Sequence, residues 1–505
     1  MAKYIVTIAP PTPNGNLHLG HISGPFLAAD IFYRIRKLKG DDAILLCYSD
    51  DYQDYVVRKA MQTERERFEL ATHFADRIDN TLKKTNIHCD WFMKAYQNQY
   101  YKDAIVFFYE QAKNKGVLGK RLFDVPYSEE DKVYGYEAFA RGTCNFCGEE
   151  SDPSQCEACA NAPVIEKMGV ITSIFSKKPM TTRSLEREYL RLGEYKQYLT
   201  ERYAENPVRK ELQGWIADTL SSADEDLEWF IDRPEAFGID VTVDGEEKII
   251  HTWFSGLPGY YGATKEWAAQ KGDPGLHDHY WKDKDTNIVN FLGFDCSFSH
   301  AIVYPSLLSN APGHTNKVTP LTNRFLKLEG GDFSTSRGHA IWVDDILEEV
   351  SSDSLRYYLA LVSPEEQVEN FEIKKFNAWR EDVFQPFCDM LETYMEAHAQ
   401  DFSHLKFSGA NIPAMAEEYK REWNSYTETV GFSIAGIAST LQKLMMDIQA
   451  SLEQGQVDAA ALIALYLVSG KPVHPDLSEQ LISRYAINEK EITAWLLQPV
   501  KETVS

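Results

Sequence analysis

The sequence predicts an α/β protein in which a parallel sheet is split by a cysteine-bearing insertion and followed by an all-α C-terminal bundle. Three observations carry this expectation. An apolar β-rich run, a sharp loop, an amphipathic segment and a second apolar run succeed one another over residues 4–48, the pattern of a right-handed βαβ unit. Four of the eight cysteines crowd between Cys144 and Cys159, inside a stretch rich in Gly, Asp, Glu and Pro. Beyond Phe371 the strand signals fade and helical periodicity takes over. A chain of 505 residues also exceeds the ~250–300 residues that one hydrophobic core supports, so several domains are required.

Tyr4–Ile8 is the first strand, and Pro10 to Asn16 is a turn centred on Asn14-Gly15. From Ile22 the apolar residues Phe26, Leu27, Ile31, Ile35 and Leu38 recur every few positions. Arg34, Arg36, Lys37 and Lys39 favour the C-terminal end of the helix dipole, and Gly40 stops the pattern, so one amphipathic helix of about five turns is expected. Ala43–Tyr48 is the second strand and runs into Ser49, Asp50 and Asp51; in such a unit ligands bind at the carboxyl ends of the strands. Helical patterning over Phe68–Tyr109 changes near Gly116. The expected organisation is 1–115 for the first half of the sheet domain, 116–226 for the insertion, 227–325 for the second half, 326–370 for a loop-bearing connecting segment and 371–505 for the bundle. Within the bundle, helices are expected over Trp379–Met395, Ala414–Thr429, Ile434–Leu452 and Val457–Val468, with Met445 and Met446 both in the core.

Composition excludes collagen, disorder and a disulfide mini-fold. The longest apolar stretch, Ala459–Val468, is half the ~20 residues of a membrane span, and MAKYIVTIAPP carries no apolar targeting segment, so a soluble, cytoplasmic chain without a membrane partner is expected. With 52 Lys and Arg against 76 Asp and Glu, the formal charge is −24 and repels polyanions at long range. Residues 371–505 hold 8 Lys and 3 Arg against 19 acidic residues, a balance of −8, so any nucleic-acid contact there needs a local basic patch.

Cys144-x2-Cys147, eight residues, then Cys156-x2-Cys159 supplies four thiolates on two tight turns, which suits tetrahedral zinc with no open position. Two disulfides at that spacing would be strained. Cys47, Cys89, Cys296 and Cys388 are scattered among apolar neighbours and read as buried thiols. His18 and His21 lie three apart where the first loop enters the helix, on one face and beside its N-terminal amides, an arrangement suited to the phosphates of ATP and to charge developing on phosphorus. Taken alone, the same residues also fit a capped helix with incidental histidines.

Pro11-Thr12-Pro13-Asn14-Gly15 followed by His18-Leu19-Gly20-His21 resembles the HIGH motif of class I aminoacyl-tRNA synthetases in its methionyl form. The resemblance recurs in order along the chain. Gly142 to Cys147 with Cys156 to Cys159 is similar to the family's zinc knuckle, and Leu227–Arg233 with Phe237-Gly238-Ile239 to its Trp-x-Ile-x-Arg segment returning to the sheet. Trp253, Pro258, Gly259, Tyr260 and Gly262 resemble the wall of its amino-acid pocket, and Phe291–Asp295 with His300 its Gly-x-Asp and histidine. The fold implied is a Rossmann core split by a zinc-bearing connective domain. The resemblance assigns ATP to Asn14, Gly15, His18, Gly20, His21, Gly293 and Asp295. It assigns the amino acid to Pro10, Thr12, Asp50 or Asp51 (for the ammonium), Trp253, Tyr260, Cys296 and His300. Catalysis falls to His18, His21, Ser334, Ser336 and Arg337, with Mg2+ accompanying ATP and Zn2+ structural.

Three departures qualify the assignment. The family's Lys-Met-Ser-Lys-Ser loop is here Asp332-Phe333-Ser334-Thr335-Ser336 before Arg337, so both lysines that follow the leaving pyrophosphate are absent and only Arg337, Lys327 or Mg2+ can compensate. The tyrosine that closes over methionine is Thr12, a pocket leucine is Pro10, and Cys296 replaces an apolar branched residue. The Asn and Arg that read the methionine anticodon fall near Asp389 and Thr393, which do not match. The resemblance implies a monomeric enzyme that activates methionine or an analogue and transfers it to tRNA. The alternatives that stay open are a free-standing paralogue with another acceptor and a catalytically silent amino-acid-binding homologue.

Overall fold

The computed structural model describes residues 2–222, 227–233, 237–334, 338–408, 412–454 and 459–499. Its centre is a five-stranded sheet of β1 (Lys3–Ile8), β2 (Asp42–Ser49), β3 (Trp91–Lys94), β4 (Thr286–Gly293) and β5 (Lys317–Asn323), in the order β5-β4-β1-β2-β3. Every pair is parallel. The two N-terminal strands lie within one residue of their expected bounds. Both faces of a parallel sheet must be covered, and the alternation of side chains shows how. Val6, Ile8, Leu45, Cys47 and Val289 join a core shared with Leu27–Leu38 and the C-terminal helices. Ile5, Ile44, Leu46, Tyr48 and Ile288 face the other way, into a core with helices Gln99–Lys115 and Gly256–Gln270.

From β1 the chain winds outward through β2 and β3 and later returns on the opposite side of β1 through β4 and β5. Strand order therefore reverses at β1, and a crevice opens above its carboxyl end.

The expected single helix after β1 is broken. Leu19–His21 passes into a π-turn, Ile22–Phe26, before the regular helix Leu27–Leu38. Pro25 removes an amide donor, and Gly24 is held at φ −92°, ψ −117°, where an added Cβ would come within 2.6 Å of the Asn323 side chain. The kink seats the helix start against the end of β5.

The insertion builds a separate antiparallel sheet from Leu118–Ser128, Val133–Tyr134 and Thr181–Arg191. Glu228–Phe230 adds to it by pairing with Tyr189–Arg191, so the chain re-enters the parallel sheet only at Thr286, after helices Gly256–Gln270 and Gly275–Trp281. Arg233, on the segment behind that strand, forms an ion pair with Asp54 at full burial and so ties the insertion to the helix that follows β2.

After β5 a short hairpin, Leu326–Leu328 with Gly331–Asp332, is joined in parallel by Glu369–Phe371. The C-terminal helices follow. Ala459–Gly470 is buried on every side, which explains an apolar run too short for a membrane; among the described residues no helix is long and apolar enough to cross one. Pro475–Arg484 and Glu489–Leu496 are helices the periodicity did not announce, each showing only a few apolar residues to the core. Met445 is buried, but Met446, about 100° further round its helix, is 56% exposed and is not core. Arg356 joins the bundle to the sheet domain. Its guanidinium pairs with Asp30 (2.7 Å) and donates to the carbonyls of Thr85 (2.9 Å), Pro472 (2.7 Å) and Val473 (3.0 Å), all out of contact with water.

Candidate active site at the carboxyl edge of the sheet

Three loops leave the carboxyl ends of β1, β2 and β4 and are laced together by their backbones. Ala9 N donates to Phe291 O (2.8 Å), and Asp50 N donates to Pro11 O (3.0 Å). They enclose a cavity of about 210 Å³ whose lining includes Pro10, Thr12, Asp50, Trp253, Asp295, Cys296 and His300. Seven of the residues assigned from the sequence are thus gathered around one space.

Asp50 sits at the end of β2, almost fully buried. Its carboxylate accepts from Thr252 Oγ1 (2.6 Å) and Gln53 Nε2 (2.8 Å). Burial, with Glu137 and Asp54 nearby, pushes its pKa up to about 7. Asp51 points elsewhere: it accepts from Ser49 Oγ (3.0 Å) and from Tyr96 N (2.7 Å) and is absent from the cavity lining. The two neighbours point to opposite sides, leaving Asp50 on the cavity and Asp51 as the anchor of the loop after β3. Tyr260 also stands behind the wall, fully buried, its hydroxyl 3.2 Å from His300 Nε2. His300 Nδ1 lies 3.1 Å from Cys296 O, and burial pulls its pKa down to about 4, so the ring is neutral. A Cβ on Gly293 would meet an Asp295 carboxylate oxygen at 2.3 Å, so any side chain there would displace Asp295.

The two histidines stand at the helix start. Their rings stack with centroids 3.7 Å apart, and His18 N donates to His21 Nδ1 (3.1 Å). Desolvation, reinforced for His18 by its neighbour, pulls His18 down to about 2; burial pulls His21 down to about 4. Both rings are therefore neutral near pH 7 and offer N–H donors rather than positive charge. Phe333 stacks on the other face of His18 at 4.6 Å, and a Cβ on Gly20 would lie 3.1 Å from His18 and 3.2 Å from Phe333. The glycine between the histidines is thus what lets the aromatic ring close over them. Asn14 and Gly15 lie on the turn before this stack, with open space beside Gly15.

The loop equivalent in position to Lys-Met-Ser-Lys-Ser is fastened here too. Leu19 N donates to Ile341 O (3.1 Å), Val343 N donates to Leu17 O (3.1 Å), and Ser334 and His339 exchange backbone hydrogen bonds at 2.9 Å. Ser334 therefore closes a turn beside the histidine pair. Ser336 and Arg337 lie outside the described residues.

Cys144, Cys147, Cys156 and Cys159 place their sulfurs within 4.8 Å of one another, with Cys144–Cys159 at 3.8 Å and Cys147–Cys156 at 3.6 Å. A tetrahedron with metal–sulfur bonds of ~2.3 Å has edges of ~3.8 Å, whereas a disulfide would need ~2.05 Å. The spacing fits a metal and not a pair of bridges. Phe146 N and Asn161 Nδ2 point at two of the sulfurs (3.4 and 3.5 Å), the donors a thiolate centre attracts.

Sequence reasoning missed the residues that the insertion and the strand ends lend to the cavity. Gln155, beside Cys156, donates to Asp295 Oδ2 (3.3 Å), and Asp152 and Glu157 join it in the lining. The four-cysteine knuckle thus forms one wall of the cavity. Tyr48, Gln53, Tyr55, Thr252 and Tyr304, with Ala9 and Gly256, complete it. Only Thr252, Gln155 and Glu157 had a local signal, namely position next to an assigned residue, Trp253 or Cys156.

A family model described as tRNA synthetases class I (M) matches residues 4–392. Among curated relatives, the methionine–tRNA ligase of Pyrococcus furiosus is 31% identical over 397 residues, 74% of this chain and 54% of its own length. That of Chloroherpeton thalassium is 30% identical over 442 residues, 85% of this chain and 62% of its own. The chain spans somewhat over half the length of these relatives. A Mycobacterium tuberculosis methionyl-tRNA synthetase structure in complex with methionyl-adenylate shares the fold, with a TM-score of 0.73 at 17% identity, over 99% of this chain and 97% of that one.

Proposed function

The chain belongs to the class I tRNA synthetase family, methionyl branch, and on that premise we propose that it activates an amino acid with ATP to an aminoacyl adenylate and transfers the acyl group to the 3' end of a tRNA. The observation that carries this reading is the convergence at one sheet edge of a neutral histidine pair, a buried aspartate and an enclosed cavity of amino-acid size. The relatives' names make methionine the starting candidate for the substrate.

In this reading Asp50 receives the substrate ammonium, and that cation supplies its countercharge. The substrate carboxylate oxygen attacks the α-phosphorus of ATP, a P–O bond forms, and the bond to the β-phosphate oxygen breaks to release pyrophosphate. His18 and His21 donate hydrogen bonds to phosphate oxygens; being neutral, they stabilise developing charge without demanding a countercharge in the ground state. Asp295 takes ribose hydroxyls, and Mg2+ arrives with the triphosphate. Ser334, Ser336 and Arg337 serve the leaving pyrophosphate in place of the absent lysines. The four cysteines would hold Zn2+, whose contribution is structural: it fixes the knuckle that carries Asp152 and Gln155 to the cavity.

A second reading differs only in the acceptor. Asp389 and Thr393 occupy exposed positions on helix Gln385–Ala397 in a region of net charge −8, which favours an acceptor other than an elongator or initiator methionine tRNA. Amino-acid-dependent exchange of labelled pyrophosphate into ATP tests the activation step, and charging of bulk tRNA tests the acceptor. Exchange without charging would select the second reading, and no exchange with any amino acid would refute activation.

A further inference from the structure

The cavity's hydrogen-bonding capacity is lopsided. Several of its donors are engaged within the protein: Thr252 Oγ1 and Gln53 Nε2 on Asp50, Gln155 Nε2 on Asp295, Tyr55 OH on Asp152 Oδ2 (3.5 Å) and Tyr48 OH on Gly256 O (3.3 Å). Its acceptors outnumber them. Among the described residues four carboxylates line the space, Asp50, Asp152, Glu157 and Asp295, and neither lysine nor arginine does.

Gln53 sharpens the point. Its side chain is 94% buried, since only 6% is exposed, and its Oε1 has no donor. The amide cannot be turned round, because that would press the carbonyl oxygen against the Asp50 carboxylate. An unpaired carbonyl in a cavity wall is costly unless a ligand donates to it.

The apolar grip expected of a thioether pocket is also reduced. Thr12, Pro10 and Cys296 stand where the resemblance calls for a tyrosine, a leucine and a branched residue. The Tyr304 hydroxyl fills the place a side chain at Gly256 would take, at 1.5 Å from an added Cβ. What remains is a space of about 210 Å³, below the ~300–1,000 Å³ of drug-sized sites and suited to one amino acid.

We propose that this site selects an amino acid whose side chain ends in a hydrogen-bond-donating cation, a diamino acid, with Gln53 and Asp152 as specificity-determining residues. The inference rests on the adenylation reading above and names its substrate class. The α-ammonium lies on Asp50, which the first ammonium satisfies. The distal ammonium donates to the Gln53 carbonyl and pairs with Asp152 at the knuckle wall, with Glu157 adding negative potential at the mouth. A thioether leaves the Gln53 carbonyl without a donor, and a site built around a polar group rejects an analogue that leaves it unpaired far more strongly than an apolar site rejects a missing methylene.

The test is pyrophosphate exchange by the full-length protein with L-2,4-diaminobutyrate, L-ornithine, L-lysine, L-methionine and L-norleucine. The expected result is a kcat/KM for at least one diamino acid about 100-fold or more above that for methionine. Gln53→Leu and Asp152→Asn should each raise KM for that diamino acid about tenfold with little change in kcat, because the lost contacts lie at the substrate side chain and, for Gln53, also at Asp50, and not at the reacting carboxylate. Preference for methionine or norleucine would overturn the proposal while leaving adenylation intact. Exchange with none of the five or of the remaining standard amino acids would overturn both. A diamino acid accepted equally well by both variants would remove Gln53 and Asp152 from the assignment.

Discussion

Replacing Asp50 by Asn should stabilise the free protein while disabling its substrate site. The carboxyl is almost fully buried with other acids nearby, which lifts its pKa from 3.8 to about 7. Between those two values the folded state holds a proton that the unfolded chain has released, so stability is lost as pH rises through this window and the whole penalty is in place above pH 7. Three pK units at 1.36 kcal/mol each amount to about 4 kcal/mol. Asn keeps the acceptor that meets Thr252 but turns an amide toward Gln53, which returns about 1 kcal/mol or more. A net gain of about 1–3 kcal/mol follows, a shift of a few degrees in the midpoint of thermal unfolding at pH 8. The gain should shrink as pH falls toward 4, where the wild-type carboxyl is protonated in the native state. The same variant loses the partner of the substrate ammonium, so KM for the amino acid should rise at least about 30-fold, the lower end of truncating a buried charge pair. The assays are thermal unfolding at pH 5 and pH 8 and pyrophosphate exchange on the same preparations. A lower midpoint at pH 8, or a gain independent of pH, would refute the electrostatic reasoning; an unchanged KM would refute the assignment of the ammonium to Asp50.

Three further outcomes are expected. Metal analysis should return one zinc per chain, and Cys156→Ser should abolish it together with exchange activity, because the knuckle carries the Gln155 that reaches Asp295. Arg356→Met should destabilise the protein by about 2–4 kcal/mol by leaving three buried carbonyls without their donor at the junction of sheet domain and bundle, while Asp30 keeps its ion pair with Arg34 (2.8 Å); a denaturation midpoint within error of wild type would contradict that. Asp332→Lys should raise the maximal exchange rate about tenfold, since it exchanges an exposed repulsive charge beside the Phe333–His18 stack for a cation that meets the triphosphate; a slower enzyme would show that the loop does not approach the phosphates.

How much of this was legible in the residues differs from element to element. β1 and β2 announced themselves because a parallel strand buried on both faces is a continuous apolar run, and the glycine-bearing turn between them fixed the βαβ unit. The knuckle was legible because cysteine spacing encodes its geometry directly. The break at Gly24-Pro25 was not, since the periodicity of the surrounding apolar residues continues across it and its cause, contact with Asn323, lies 299 positions away in sequence. Asp50 and Asp51 were indistinguishable until the fold sent them to different neighbours. That Asp152 and Gln155 supply a cavity wall was invisible for the same reason: nothing local says that a metal knuckle folds back onto a strand end more than a hundred positions later.

The central claim is that the histidine pair and the cavity beside it form one adenylation site. Single-turnover reaction of excess enzyme with α-32P-labelled ATP and the amino acid preferred in exchange tests this most directly. A labelled aminoacyl adenylate is expected in the wild type and its loss in His18→Ala/His21→Ala, with the fold retained by circular dichroism. An adenylate that still forms at the wild-type rate in the doubly substituted protein would contradict it.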